Sequence, residues 1–184
     1  MALVLGTNSG FVTVAPTTDP AASLTLTIDG NSCATKHTSP AYSARIIEIG
    51  WWRDLGSNTA NWEVGLYSDN AGVADVLLEI EATNSNSTTG WLTRAVNWAI
   101  SPSTAYWLGL QMDAHTGTSN TDRETTGGAG YDYISGGAQT ALNNPFGGGA
   151  VAQPAGMVAI YALVEPLFSP AWGAKATTII GGVF

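Results

Sequence analysis

The chain is predicted to be all-β, an antiparallel β-sandwich of jelly-roll type with long loops rich in Gly, Ser, Thr and Asn. Three observations predict it. Apolar and polar residues alternate with a period of two in runs of strand length. Charged residues make up only 11% of the 184, with Lys at positions 36 and 175 alone, too few for the Lys/Glu pairs that solubilise helical surfaces. The runs are joined by short polar links, without the crossovers of about a dozen residues that parallel neighbours need. At this length one domain is expected, placed at residues 1–165, followed by an apolar tail at 166–184.

The elements follow in order. Residues 10–15 (GFVTVA) read as a strand stopped by Pro16 and Pro20, and residues 23–28 (SLTLTI) as a second strand closed by the turn signal Asp29-Gly30-Asn31. The next strands are 44–53 (ARIIEIGWWR), 62–67 (WEVGLY), 76–82 (VLLEIEA), 91–100 (WLTRAVNWAI) and 104–112 (TAYWLGLQM). Their links at 54–61, 68–75, 83–90 and 101–103 are loaded with Asn, Ser, Asp, Gly and Pro.

Alternation assigns the faces of these strands. Trp62, Val64 and Leu66 point inward, as do Tyr106, Leu108, Leu110 and Met112, and a third inner face carries Leu92, Val96, Trp98 and Ile100. Arg94 falls on that third apolar face and requires a partner or a bulge. From His115 to Gln153 the chain becomes a Gly-punctuated loop region with one short strand at 130–134 (GYDYI). A strand at 156–164 (GMVAIYALV) is apolar on both faces and is expected to be central in its sheet. The last residues, 167–184, are apolar and aromatic, and are expected to dock on their own domain or on a neighbouring subunit.

Composition also excludes function classes. A net charge of −8 and a pI near 4.4 repel a phosphate backbone, so nucleic acid is not an expected partner. No apolar run approaches the roughly 18–20 residues of a membrane span, and the first residues lack the basic region of a signal peptide. The lone Cys33 reads as a small buried residue in a β segment, not as a nucleophile.

No constellation for chemistry stands out, and neither enzyme activity nor a cofactor is expected. His37, in a Ser/Thr/Lys turn, and His115, in a loop, read as surface histidines, and no G-x-S-x-G, H-E-x-x-H or P-loop occurs. Glu48 and Glu63 read as outward residues on neighbouring strands, solvated rather than a hydrolytic pair. The loop at 69–75 (DNAGVAD) superficially resembles a calcium loop, making Asp69 and Asp75 weak metal candidates. Its twelfth position is Ile80 instead of a bidentate Glu, so a turn is favoured and no metal is assigned. Asp113, Asp122 and Glu124 are a second weak set of oxygen donors, and the sequon Asn86-Ser87-Thr88 reads as a loop. Trp62, Trp91, Trp98 and Trp107 lie within strands and read as core. Faces alternate at Trp51-Trp52, so one ring points outward. With Tyr131 and Tyr133 it is the candidate glycan contact.

The stretch 50–70 (GWWRDLGSNTANWEVGLYSDN), Gly90-Trp91 and Ala105-Tyr106-Trp107-Leu108 resemble the strand set of jelly-roll sandwich domains of phage and viral structural proteins. The resemblance covers about Arg45 to Met112 and carries over no catalytic residue. The charge-poor Ser/Thr/Asn/Gly composition, the apolar segments at both ends and the lack of a chemical constellation, together with this resemblance, give the expectation of a non-enzymatic structural protein of a virion or filament, a phage capsid, decoration or tail component, made in the host cytoplasm. Its expected partners are copies of itself and other virion proteins. The expected assembly residues are Val4, Leu5, Phe11 and Val14 at one end and Leu167, Phe168, Trp172, Ile179, Ile180 and Phe184 at the other, which pair with a neighbour's sheet. The competing expectation is an extracellular carbohydrate-binding module or receptor-binding head that uses Trp51, Trp52, Tyr131 and Tyr133.

Overall fold

The computed structural model describes residues 2–22, 24–54, 59–86, 89–113, 119–134, 139–147 and 151–167. In chain order the strands are β1 (Gly10–Val12), β2 (Leu24–Thr27), β3 (Asn31–Thr38), β4 (Ala44–Arg53), β5 (Thr59–Asn70), β6 (Val73–Asn86) and β7 (Gly90–Ile100). They continue with β8 (Ala105–Asp113), β9 (Asn120–Glu124), β10 (Tyr131–Ile134), β11 (Val151–Gln153), β12 (Met157–Val158) and β13 (Ile160–Pro166). No helix occurs among the described residues.

The strands form a sandwich. A four-stranded sheet, β1-β13-β4-β7, packs against a six-stranded sheet, β11-β10-β3-β8-β5-β6, and a three-stranded sheet, β12-β9-β2, adds Leu26 and Val158 to the core between them. The expected inner faces meet there. Ile46, Ile49, Trp51, Trp98 and Ile100 come from one side, and Trp62, Val64, Leu66, Leu108, Leu110 and Met112 from the other. Trp51 and Trp62 touch across the sandwich edge to face, with ring centroids 6.1 Å apart. Each ring buries on the order of 200 Å² of apolar surface, so these two residues weigh heavily in the core.

β4 has the expected bounds, β5, β6 and β7 contain the expected runs, and β8 is shifted by one residue from the expected 104–112. The two differences at the hairpin have a local cause. β5 and β6 run on to a two-residue turn, with Ala71 at φ 52° and Gly72 at φ 94°. Two positive φ values match the twist of a tight hairpin, and the Gly72 N–H donates to Asp69 Oδ2 at 3.3 Å.

Three strands lie outside the runs that alternation marked as strands. β3 has the polar sequence NSCATKHT, yet it is interior to its sheet, between β10 and β8. β9 (NTDRE) is equally polar and β11 (VAQ) is only three residues long; they are held by pairing with β2, β12 and β10. The single strand expected at 156–164 is split at Ala159: β12 pairs with β9 and β13 with β4. All neighbours were expected to be antiparallel, but β1 pairs parallel with β13, in the register Gly10↔Tyr161. The crossover argument concerns strands close in sequence, and these two come from opposite ends of the chain.

Arg94 has the bulge and the contact it requires. The register of β4 against β7 shifts between Ile46 and Glu48, and the guanidinium lies over the Trp62 ring, 4.9 Å from its centroid.

A strap, residues 139–147, covers the outer face of the six-stranded sheet. Leu142 and Phe146 pack there against Ala34, Ala74, Tyr67 and Trp107. Gly65 and Gly109 oppose each other under it, and a Cβ at Gly109 would stand 2.6 Å from the Tyr67 ring. Hydrogen bonds fix the strap: Tyr67 Oη donates to Asn143 O at 2.9 Å, Leu142 N to Glu63 Oε2 at 2.6 Å and Gln111 Nε2 to Gln139 O at 2.6 Å.

Candidate assembly surface

β6 is the outer strand of the six-stranded sheet, with β5 as its partner. Directly opposed residues share a face, so the pairings Val64↔Glu81 and Leu66↔Glu79 put two carboxylates on the side where β5 is apolar. Gly65↔Ile80 and Glu63↔Ala82 put Ile80 and Ala82 on the outer face. Val73, Val76, Leu78 and Ile80 are all exposed, Leu78 to 46% and Ile80 to 43%. No other strand carries so many exposed large apolar side chains among the described residues. The strap caps only the start of this edge: Leu77 N–H donates to Asn144 Oδ1 at 3.1 Å, and Phe146 N–H donates to Asp75 O at 2.9 Å. Past Leu77 the edge carries apolar side chains on one face and glutamates on the other.

The expected assembly residues fall into three groups. Val4 and Leu5 are exposed, and Val14 is 76% exposed just beyond β1. Phe11 is instead half-buried in its own domain, edge to face with Tyr106 at 6.3 Å, because β1 is docked on β13. Leu167 is exposed, and its N–H donates to Ser43 O at 2.8 Å. Phe168, Trp172, Ile179, Ile180 and Phe184 lie outside the described residues.

Of the aromatic set expected to meet a glycan, Trp51, Trp52 and Tyr131 are buried. Trp51 is wholly inside the core. Trp52 does point to the opposite face, but Leu3, Trp91, Met157 and Ala159 cover it. Tyr131 is buried, and its hydroxyl accepts from Arg123 Nη1 at 2.6 Å. Alternation correctly placed Trp51 and Trp52 on opposite faces. It carried no information about the N-terminal residues and β12, which form a second layer over the outer one. For Tyr133 the backbone pairs with Cys33 and Val151, and the side chain lies outside the described residues.

Of the acidic candidates, Glu48, Glu63, Asp69 and Asp122 each have a hydrogen-bond partner. Glu48 and Glu63 are not neighbours: they lie in different sheets, on opposite outer faces. Glu48 Oε1 accepts from Tyr161 Oη at 2.5 Å, and Glu63 holds the strap. Asp69 Oδ1 is 2.8 Å from Lys36 Nζ and accepts from Trp107 Nε1 at 2.8 Å. Burial works to raise the Asp69 carboxyl, and the bonds from Lys36 and Trp107 outweigh it and hold the group below the usual carboxylate range. Among the described residues no three His, Cys, Asp or Glu side chains are arranged to hold a metal ion. Asp122 is 2% exposed, and burial pushes its carboxyl up to about 6. Asp54, Asp19 and Glu124 push the same way, against the Ala22 N–H bonded to Oδ2 at 3.0 Å.

His37 is not on the surface. It is 4% exposed on β3, packed against Gly10, and burial lowers its imidazole to about 3. The alternation of Cys33, Thr35 and His37 against Ser32, Ala34 and Lys36 was the signal available for this strand, hidden by its polar composition. Cys33 is fully buried, and burial pushes its thiol up. His115 lies outside the described residues. Two open clefts flank the N-terminal segment. One, of about 340 Å³, lies between residues 6–8 and 13–18, and the other, of about 360 Å³, lies among Leu5, Phe11, Lys36, His37 and Ala129. Neither is lined by a carboxylate.

Compared with models of protein families, with curated proteins and with solved structures, the chain matches none of them.

Proposed function

We propose that the chain is a non-enzymatic structural protein that assembles with copies of itself, through strand edges and terminal segments, into a virion or filament, as a capsid, decoration or tail component of a phage. The observation that carries this reading is the β6 edge. Four exposed large apolar residues on one outer strand are a pairing template that a solitary sandwich normally blunts. The charge-poor surface and the exposed Val4, Leu5, Val14 and Leu167 support it.

We also infer a jelly-roll topology. Eight strands in two facing sets, β1-β13-β4-β7 and β3-β8-β5-β6, have the strand number of a double-sheet jelly roll. Among these eight strands the chain changes sets at every step except β5 to β6, and the parallel β1 is the departure.

Size-exclusion chromatography with light scattering on the full chain, over a hundredfold range of concentration, tests the function. Defined oligomers or growing assemblies are expected. A folded monomer at every concentration would overturn the reading.

A further inference from the structure

We propose that residues 174–184 of one copy add as a strand to the open part of β6, residues 78–82, in a second copy, so that the chain assembles head to tail. This rests on the self-assembly reading above and names the two surfaces that meet.

The acceptor is selected by elimination among the edges. β1 and β11 have three residues, and β12 and β2 have two and four, too short to hold a partner strand. β7 is long, but the residues it exposes are Ala95, Asn97 and Ala99, which offer little apolar area. β6 is long and exposes Leu78 and Ile80. Strand addition there gains main-chain hydrogen bonds from the backbone and burial from alternate side chains.

Charge decides between donors. A second β6 would bring its own Glu79 and Glu81 to an edge that already carries two carboxylates on one face, and like charges across a strand pair are unfavourable. Residues 174–184 (AKATTIIGGVF) contain no acidic side chain and no Pro, and their one charged side chain is Lys175. Thr177, Thr178, Ile179 and Ile180 form a β-branched run suited to a pleated surface. A Thr or Ile beside Glu79 and Glu81 adds no repulsion, and Lys175 attracts.

Geometry permits the connection. Leu167 is tied to Ser43 at the end of the sandwich where β4 begins. The pairings Thr38↔Ala105, Ser68↔Tyr106 and Asn70↔Val73 place the start of β6 at that same end. The 17 residues from 168 to 184 span about 55 Å when extended, enough to leave one domain and lie along five residues of another. Donor and acceptor are different surfaces, so the contact is heterologous and propagates into a ring or an open filament.

Two full-length variants test this. Leu78→Lys with Ile80→Lys disables the acceptor at exposed positions, and Ile179→Lys with Ile180→Lys disables the donor. Light scattering should find each variant monomeric alone, with a thermal unfolding transition like that of the parent chain. Mixed at equal amounts, they should form a complex of two chains that grows no further, because the one intact tail meets the one intact β6. As a second readout, Ile80→Cys and Ile179→Cys in one chain should give disulfide-linked multimers under oxidation. If the parent chain assembles but the mixture stays monomeric and no cross-link forms, the pairing is wrong and the self-assembly reading survives. If the parent chain itself is monomeric, both fall.

Discussion

Replacing Asp122 by Asn should remove a pH dependence that the fold imposes on its own stability. The carboxyl is 2% exposed and its value is raised from 3.8 to about 6, first by burial and then by Asp54, Asp19 and Glu124. The folded chain therefore holds this proton more tightly than the unfolded chain does. Stability from this group is fully present below pH 3.8, falls as the pH rises to 6, and is gone above it. The rise from 3.8 to about 6, at 1.36 kcal/mol for each factor of ten in proton affinity, makes the full span about 3 kcal/mol. Asn keeps an oxygen for the Ala22 N–H, now 3.0 Å from Oδ2, and never ionises. Urea unfolding from pH 4 to 8 is the assay. Relative to the parent, the variant should gain about 2.4 kcal/mol between pH 4 and pH 7, whatever constant offset the new amide introduces. Parallel stability profiles for parent and variant would refute the reasoning.

Other outcomes follow from the same structure. His37, lowered to about 3 by burial, contributes in the opposite sense: the unfolded chain takes up a proton near 6.5, so stability from this group falls as the pH drops below that value. His37→Phe, if it folds, should flatten the acid limb of the stability profile, and an unchanged limb would count against burial as the cause. Phe146→Ala should cost about 3–5 kcal/mol in urea unfolding, because the ring is buried edge to face with Tyr67 at 5.3 Å and anchors the strap. A loss below about 1 kcal/mol would mean that the strap is not part of the cooperative fold. Gly109→Ala should cost about 1–3 kcal/mol by driving a Cβ toward the Tyr67 ring, with stability recovered in part by Tyr67→Leu. Cys33 should resist an aromatic disulfide reagent at pH 8 in the folded chain and react within the dead time in urea, since burial raises the thiol and blocks access.

The legible part of the fold was what period-two alternation encodes. Trp62, Val64 and Leu66 face the core as their spacing required, and Arg94 occupies the tolerated position that a bulge and the Trp62 ring create. β3 was not legible because Ser, Thr, Lys and His mask its alternation, and because its place between β10 and β8 depends on chain a hundred residues away. Of the candidate surface, the sequence pointed to Val4, Leu5, Val14 and Leu167, which are exposed, and it read the apolar edge of β6 only as an ordinary strand.

The sequence by itself determined the class of structure, the facing of the strands around Trp62, Trp98 and Leu108, and the shortage of charge, because these depend on a residue and its near neighbours. Only the tertiary structure decided which strands became edges, what covered an outward ring and which carboxylates found partners. Trp52 and Ile80 show the difference. Both point away from the main core, but the N-terminal residues and β12 close over Trp52, while nothing described in the chain closes over Ile80. Burial on an outer face depends on distant segments arriving there, and local periodicity holds no record of them.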